Sequence, residues 1–441
     1  MKKGTPLFGT ITDLDEKGRG ILPLDNKTYS IPFTMPGDTI EATFQKRAKK
    51  KRIANLTNII SPAERRRETP CPHAGICGGC LWQHMDEVAE RELKQMMINR
   101  SFEKHGHTER LSGIPSSTHQ LHYRNRMDYA IGWKGEVGLR AYGDWNRYIN
   151  LETCLLLDEA TPTILKTVHT LMDEIPLIPW DNKFHRGNFR YLTIRRGEFT
   201  HERMILLLFH DLSELDDDAK QKIVASLAPL CTTLYLGEQP TITDTEYAET
   251  LELLHGKPFL RERINHIEYD IHPNSFFQTN SVMAEKLQEA VIKLIKPSSQ
   301  TRVLDLYCGL GFFSLALAKA GARVMGIERM PESIEMAKQN AALNQLSEKT
   351  AFIATPVETC DWDSEKYDTV IIDPSRAGLH QNVIQQLIAR PIKQLIYVSC
   401  NYGRFTEELK ELKTAYRLTH LEAINLFPQT PHVEIIAALK G

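Results

Sequence analysis

The chain has 441 residues, with 54 lysine and arginine residues against 56 aspartate and glutamate residues and a formal net charge of −2 at pH 7. This length exceeds that of one ordinary hydrophobic core and predicts several domains, and no stretch approaches the roughly 18 apolar residues that a membrane-spanning helix needs. A membrane protein is therefore excluded, whereas a near-zero charge argues neither for nor against a nucleic-acid partner.

The amino-terminal region predicts a small β-barrel. Four short segments alternate apolar and polar residues and are separated by glycine, proline and aspartate turns; they cover residues 5–14, 18–24, 27–33 and 38–44. Such regular spacing of short strands is typical of small all-β barrels.

A basic run follows these strands. Residues 46–52 read KRAKKKR, with six basic side chains in seven positions, and the arginines at 65–67 extend the run. Most charge runs are solvated surfaces, but this one follows a predicted barrel, and such a cluster seeks phosphate groups. We therefore predict that the amino-terminal domain binds RNA.

Four cysteines form the next informative pattern. Cys71, Cys77 and Cys80 lie in a C-x5-C-x2-C run, and Cys154 lies much further along the chain. Four thiolates suit an iron–sulfur cluster, and zinc remains an alternative because zinc sites also use short Cys-x2-Cys turns. Disulfides are a third alternative, but MKKGTPLFG at the amino terminus lacks the apolar core of a secretory signal. We expect reduced, cytosolic thiols.

The histidines beside the cysteine run, His73 and His84, are interpreted as non-ligands. The remaining cysteines have no partner at a recognisable spacing, and we interpret them as packing residues or, for Cys308, as part of a turn; they are Cys231, Cys308 and Cys360.

The middle of the chain predicts one amphipathic helix and a central domain. Residues 86–105 show apolar positions at helical spacing, and residues 123–133, 135–143 and 190–197 are predicted as strands of the domain that contains Cys154. Arg124 and Arg126 in the first strand are either RNA-phosphate contacts or ordinary exposed strand positions. Residues from about 160 to 265 alternate strand and helix without a chemical motif.

The carboxyl-terminal region predicts a doubly wound α/β domain. Residues 303–311 (VLDLYCGLG) read as a strand and a glycine turn, a helical stretch follows, and VMGIE ends at Glu328. In such folds glycines let the backbone approach a ligand, and an acid on the next strand binds ribose hydroxyls. Because Gly309 and Gly311 form G-x-G without a third glycine, S-adenosylmethionine is favoured over a dinucleotide.

Two further strands of this region end in reactive residues. YDTVIID ends at Asp373, followed by Pro374, and IKQLIYVSCN places Cys400 at the end of an apolar run. An isolated free cysteine is more often a small buried hydrophobe, and an Asp-Pro pair commonly opens a turn. In this series of strand ends, both residues are interpreted as parts of an active site.

The chain resembles the uracil-5 RNA methyltransferase family through six motifs in order. They are SFFQTN (275–280), DLYCGLG (305–311), Glu328, DPSR (373–376), SCN (399–401) and FPQTPHVE (427–434). Any one motif is weak, but their ordered combination is specific.

The resemblance implies a covalent mechanism. Cys400 adds to carbon 6 of a uracil base, carbon 5 takes the methyl group of S-adenosylmethionine, and Glu434 removes the carbon 5 proton. The alternative for Glu434 is a solvated residue at a strand edge. The cofactor contacts carried over from the family motifs are Gln278, Tyr307, Glu328 and Asp373. Tyr402 departs from the family, where proline usually follows Cys-Asn, which affects the loop behind Cys400.

The same resemblance predicts a multi-domain fold of α+β and α/β parts. Residues 1–62 resemble the TRAM domain, an OB-like RNA-binding β-barrel; 63–268 form a central mixed domain with an iron–sulfur site; and 269–441 form a Rossmann-like S-adenosylmethionine methyltransferase domain. The helix at 86–105 is expected to pack on this last domain. The iron–sulfur branch of the family favours a four-iron four-sulfur (4Fe-4S) cluster on Cys71, Cys77, Cys80 and Cys154.

The resemblance favours ribosomal RNA of the large subunit as substrate, with transfer RNA as the alternative. The target uridine must be unpaired or flipped, and Phe276 or Phe277 is a candidate stacking platform, although each is also a candidate core residue. Two other classes remain: an iron–sulfur radical enzyme, whose C-x3-C-x2-C loop differs from the spacing here, and a non-catalytic RNA-binding protein, which leaves the cofactor motifs unexplained.

Overall fold

A computed structural model describes residues 2–48, 51–363 and 366–441. Lys49 and Lys50 of the predicted basic run lie outside this range. No helix within these ranges is both long enough and apolar enough to cross a membrane.

The amino-terminal domain is a six-stranded sheet in the order β1-β5-β6-β4-β3-β2, in which only β4 and β6 pair in parallel. Its strands are β1 (Pro6–Thr10), β2 (Asp13–Leu14), β3 (Gly20–Leu24), β4 (Lys27–Ile31), β5 (Thr39–Ala48) and β6 (Lys51–Ser61). Leu7, Leu22, Tyr29 and Ile40 form its apolar core. Strand alternation places one side chain in two toward that core.

The predicted basic patch is smaller than the sequence suggested. Lys46 and Arg47 are exposed. Arg66 instead binds the buried Asp38 at 2.6 Å, and Arg67 donates to the main-chain oxygen of Gln83 at 2.9 Å. The expectation that these two arginines extend a phosphate-binding surface is therefore corrected, because their guanidinium groups are engaged within the protein.

The central domain is a seven-stranded sheet in the order β13-β12-β11-β10-β7-β8-β9. Its strands are β7 (Arg126–Ile131), β8 (Val137–Ala141), β9 (Asp144–Asn150), β10 (Phe189–Arg196), β11 (Arg203–Phe209), β12 (Thr233–Glu238) and β13 (Thr250–Gly256). Helices α2 (Thr161–Glu174) and α3 (Asp217–Leu227) pack on one of its faces and share its apolar core.

The carboxyl-terminal domain is a second seven-stranded sheet in the order β18-β17-β16-β19-β20-β22-β21. Its strands are β16 (Arg302–Leu306), β17 (Arg323–Glu328), β18 (Thr350–Ala354), β19 (Thr369–Ile372), β20 (Gln394–Ser399), β21 (Arg417–Ile424) and β22 (Glu434–Lys440). Five neighbouring strands are parallel, and β22 is antiparallel to both β20 and β21. The strands buried on both faces read as continuous apolar runs, as parallel strands do.

Helices cover both faces of this sheet. They are α4 (Ser281–Ile295), α5 (Phe312–Lys319), α6 (Pro331–Leu343), α7 (Gln381–Ala389) and α8 (Tyr402–Leu412). The hairpin of β14 (Leu260–Ile264) and β15 (Ile267–Ile271) packs in the same core as α4 and α5. The predicted boundary between residues 268 and 269 falls inside β15.

Helix α1 (Glu87–Lys104) contacts the carboxyl-terminal domain, although the central domain follows it in sequence. Asp86 caps its first turn by accepting from the Ala89 amide at 2.7 Å. Ile98 and Phe102 enter the core that contains Leu304. The Ser101 and Thr406 hydroxyls lie 2.7 Å apart, which joins α1 to α8.

Candidate active site

The strand order brings the predicted site residues to one edge of the carboxyl-terminal sheet. β17, β16, β19 and β20 are consecutive neighbours, and Glu328, Tyr307, Asp373 and Cys400 lie at or just after their carboxyl ends. Ligands of open α/β sheets bind at this edge, where the strand order reverses. In this sheet the reversal lies between β16 and β19.

The turn after β16 has a backbone shaped for close approach. Tyr307 has φ 67°, Gly309 has φ 54° and Gly311 has φ 93°. A positive φ at a residue other than glycine costs energy and is concentrated at functional sites, so the conformation of Tyr307 marks this turn as a candidate ligand contact. A Cβ added at Gly309 would meet nothing within 4 Å, so this turn faces open space.

Glu328 is anchored beside that turn. Its Oε2 accepts from the Gly309 amide at 3.3 Å, and its Oε1 accepts from the Met330 amide at 3.0 Å. The carboxylate therefore lies at the glycine turn.

Asp373 lies close to a second carboxyl group and to Gln278. Gln278 Nε2 donates to Asp373 Oδ2 at 3.3 Å. Burial, helped by the nearby Asp305, raises the pKa of Asp373 to about 7. Asp305 is fully buried, its Oδ2 accepts from the Ser314 hydroxyl at 2.5 Å, and burial raises its pKa to about 7 as well. Two buried carboxyl groups with raised pKa values thus lie close together near this edge of the sheet.

The pairing of β20 with β22 brings Glu434 near Cys400. Ser399 pairs with Ile435 at the end of this antiparallel ladder, and Cys400 and Glu434 are the adjoining residues of the two chain segments. The two side chains are close enough for the charge of Glu434 to raise the pKa of the Cys400 thiol. The Glu434 side chain is buried, and its Oε1 has no hydrogen-bond partner within the described residues.

Electrostatics link the thiol and the carboxyl groups. Burial, then the charges of Glu434 and Asp373, raise the pKa of Cys400 to about 11, while Arg376 acts in the opposite direction. Burial and Asp373 also raise the pKa of Glu434 above its ordinary value. A carboxyl group with a raised pKa is a stronger base, better matched to proton removal near neutral pH.

The loop behind Cys400 is fixed despite Tyr402. Asn401 Oδ1 accepts from the Arg404 amide at 3.2 Å, and Asn401 Nδ2 donates to the main-chain oxygen of Arg376 at 2.9 Å. Tyr402 is the first residue of α8, a position that favours proline because its amide has no partner within the helix. Tyrosine fits this position, so the departure from the family pattern leaves the turn intact.

A cleft of about 1030 Å³ leads to Cys400 and is lined by all three domains. Its basic lining residues are Lys17, Arg100, Lys104, Arg124, Arg126, Arg376 and Arg404. Acidic residues line it too, and Arg126 binds one of them, Asp128, at 2.9 Å. Of the two predicted stacking residues, Phe276 is 68% exposed whereas Phe277 is buried in the core.

The four predicted metal-ligating cysteines line one small cavity of about 20 Å³. Burial and the neighbouring Cys154 raise the pKa of both Cys71 and Cys77, the latter to about 11. Among the described residues, however, no three histidine, cysteine or acidic side chains form a group able to hold a metal ion. His73 also lines this cavity, but its Nε2 is bound by the Glu152 amide at 3.2 Å.

Several residues of the site region were not found from the sequence. Asp305 was detectable in principle, since it is an acid within an apolar strand. Arg376 lies in the DPSR motif, but the motif alone does not show that its charge lowers the pKa of both Cys400 and Glu434. Glu90 and Lys94 are fully buried although their i,i+4 spacing on α1 is typical of an exposed helix pair.

Comparison with known proteins decides the family. Residues 114–440 match the family model described as tRNA (Uracil-5-)-methyltransferase, and residues 7–64 match the TRAM domain of tRNA (uracil(54)-C(5))-methyltransferase. The chain belongs to the uracil-C5 RNA methyltransferase family. The predicted resemblance, the TRAM domain and the methyltransferase fold are thereby confirmed.

Similar members of this family span the whole chain. An uncharacterized RNA methyltransferase of Nanoarchaeum equitans is 36% identical over 431 residues, covering 98% of this chain and 92% of the relative. The 23S rRNA (uracil(747)-C(5))-methyltransferase of Pyrococcus horikoshii is 32% identical over 98% of each chain.

A solved structure is also similar to this protein over nearly the whole chain. It is that of the Pyrococcus abyssi tRNA (uracil-54, C5)-methyltransferase in complex with S-adenosyl-L-homocysteine. Its TM-score is 0.81 at 29% identity, and the match covers 98% of this chain and 100% of that chain. The two substrate classes considered from the sequence are thus both represented among similar proteins.

Proposed function

We propose that this uracil-C5 RNA methyltransferase uses Cys400 as its nucleophile and Glu434 as the base that completes the reaction. The observation that supports this proposal is the antiparallel pairing of β20 with β22, which ends at Ser399 and Ile435, the neighbours of Cys400 and Glu434. Asp373 and Arg376 act on the ionisation of both groups.

The proposed chemistry follows from the reactivity of uracil. The Cys400 thiolate forms a bond to carbon 6, and the electron pair of the carbon 5–carbon 6 double bond moves to the carbonyl at carbon 4. Carbon 5 takes the methyl group of S-adenosylmethionine, whose bond from methyl to sulfur breaks and which leaves as S-adenosylhomocysteine. Glu434 then removes the carbon 5 proton, the double bond re-forms, and the bond between carbon 6 and the cysteine sulfur breaks. Arg376 favours the thiolate on which the first step depends, against burial and the charges of Glu434 and Asp373, which raise the pKa of the Cys400 thiol to about 11.

The cofactor edge suits S-adenosylmethionine. The Gly309 and Gly311 turn allows close approach of the ligand, and Glu328 would bind ribose hydroxyls. Gln278, Tyr307 and Asp373 are the further contacts that we assign, the last two because they follow neighbouring strands at the switch point.

We also propose a 4Fe-4S cluster held by Cys71, Cys77, Cys80 and Cys154. The four thiols share one cavity with apolar walls that include Leu139 and Leu156. Cys77 Sγ accepts from the Gly79 amide at 3.4 Å, and such amide bonds to sulfur are typical of iron–sulfur sites. A single zinc ion on the same four thiols is the alternative.

We propose that the enzyme acts in the cytoplasm and that its substrate is 23S ribosomal RNA. The basic side chains of the cleft suit a phosphate backbone, and only an unpaired or flipped uridine would reach Cys400. Transfer RNA is the second candidate, supported by the similarity to the P. abyssi enzyme over the whole chain.

The test uses 5-fluorouridine-substituted 23S rRNA fragments and transfer RNA with S-adenosylmethionine. When fluorine replaces the hydrogen at carbon 5, the base has no proton to remove and the cysteine is not released. The covalent complex should therefore persist on a denaturing gel. The RNA that is trapped identifies the substrate, and Cys400→Ala should abolish trapping while retaining cofactor binding. Trapping that survives in Cys400→Ala would refute the assignment of the nucleophile.

A further inference from the structure

The central domain exposes a group of aromatic side chains on one side. Trp145 is 77% exposed, Phe184 is 62% exposed and Trp133 is 51% exposed. Together with the half-buried Tyr148, we call these four residues the aromatic rim. Exposed aromatic residues that cluster mark a site of interaction, whereas scattered ones need no explanation.

Cations accompany each ring of the aromatic rim. Arg140 lies over the rings of Trp145 at 5.6 Å and Tyr148 at 5.4 Å. Lys134 lies 4.7 Å from the centre of the Trp133 ring, and Lys183 lies 4.9 Å from that of Phe184. Each contact is within the range of a cation–π interaction.

A hydrogen-bond network joins the loops that carry the aromatic rim. Arg140 binds Asp244 at 2.6 Å, and Asn182 Nδ2 donates to both Tyr148 at 3.2 Å and Asp244 at 3.3 Å. A Cβ at Gly132, the neighbour of Trp133, would lie 2.8 Å from the Tyr148 ring. Arg140 therefore joins Trp145 to Tyr148, and the segments that carry Trp133 and Phe184 both meet Tyr148.

Residues that neighbour the aromatic rim in sequence line the cleft that leads to Cys400. Tyr142, in the turn just before Trp145, lines the cleft, and its ring packs edge-on against Phe33 of the barrel at 5.4 Å. Glu246, two residues beyond Asp244, lines the cleft as well. RNA that reaches Cys400 through the cleft would pass these two residues.

We infer that the aromatic rim is an accessory RNA-binding surface that stacks unpaired bases flanking the target segment. This inference rests on the proposed function. Aromatic rings stack bases of any sequence, and adjacent cations bind phosphates, which is how proteins bind single-stranded RNA. Lysine is depleted in protein–protein interfaces, so Lys134 and Lys183 favour RNA over a protein partner.

The test measures the affinity of the full-length protein for labelled RNA by fluorescence anisotropy. Two probes are used: the RNA that is trapped by the enzyme, and a short stem-loop that contains only its target uridine. Trp145→Ala should raise Kd for the longer RNA about tenfold, which is about 1.4 kcal/mol, because it removes a ring on which a base stacks. The short probe should bind unchanged.

Two variants control for side-chain loss. Trp145→Phe should retain most of the affinity because phenylalanine still stacks, and Ile353→Ala, which removes a 46% exposed side chain from the edge strand β18, should have no effect. The inference is overturned if Trp145→Ala and a variant with alanine at Trp133, Trp145 and Phe184 both bind the longer RNA with the affinity of the wild type. A change in self-association of these variants would also overturn it, because it would point to a protein contact. Cys400-dependent trapping of the short probe tests the proposed function independently.

Discussion

Lys94 Nζ donates to the main-chain oxygen of Phe427 at 3.0 Å, which ties helix α1 to the loop that leads into Glu434. The same ammonium group binds Asn425 Oδ1 at 2.6 Å and Glu90 Oε1 at 2.7 Å. Glu90 Oε2 in turn accepts from the Gln429 amide at 2.8 Å. The loop that positions the proposed base is thus held at three points by two fully buried charges.

We predict that Lys94→Met both destabilises the protein and disturbs the last step of the reaction. Removing one partner of a buried pair leaves Glu90 uncompensated, which costs about 3 to 5 kcal/mol. With the loop displaced, proton removal by Glu434 should slow, so a covalent complex with ordinary RNA should accumulate. Denaturant unfolding and denaturing gels measure the two effects.

The matched control for this variant is Lys286→Met, which removes a half-exposed lysine paired with Glu289 at 3.0 Å. Exposed pairs contribute roughly 0 to 1 kcal/mol, so stability and turnover should hardly change. If Lys94→Met lowers stability without any accumulation of covalent complex, the network is structural only and does not position the base.

The buried carboxyl groups predict a pH-dependent stability of the ligand-free protein. Burial raises the pKa of Asp305 to about 7 from 3.8, so its contribution is fully present below about pH 4 and is lost as pH rises through 7. Asp305→Asn should therefore be more stable than the wild type at pH 8, by an amount on the order of a few kcal/mol, and should lose that advantage at pH 4. Urea unfolding at the two pH values checks this; an equal difference at both would contradict the raised pKa.

The cysteine cavity predicts iron and sulfide in anaerobically purified protein. Cys154→Ser should lose most of both, since it removes one ligand of the cluster, whereas Cys231→Ser changes a half-buried thiol outside the cavity and should retain them. Metal and acid-labile sulfide analysis measures this. Zinc without sulfide in the wild-type protein would contradict the cluster.

The sequence predicts the carboxyl-terminal domain well because its signals are local. Apolar parallel strands end at Glu328, Asp373 and Cys400, and the fold brings these ends to one edge. The glycine turn after β16 is equally visible, because the conformations it needs suit few residues other than glycine.

Long-range partners account for what the sequence does not predict. Glu90 and Lys94 look like a surface pair until Asn425 and Gln429, more than 300 residues away, complete their environment. Arg66 looks like part of a basic patch until Asp38 is found beside it. In each case the decisive contact lies in another segment, which spacing within one segment does not show.

The most direct test of the account is the reaction of Glu434→Gln with ordinary, unfluorinated substrate RNA and S-adenosylmethionine. Glutamine is close in shape but is not a base, so methyl transfer should proceed while release fails, and a methylated RNA should remain covalently bound at Cys400. Mass spectrometry of the cross-linked peptide would locate the bond, and Cys400→Ala with Glu434→Gln should show none. If Glu434→Gln releases methylated RNA at the wild-type rate, Glu434 is not the base and the central claim is wrong.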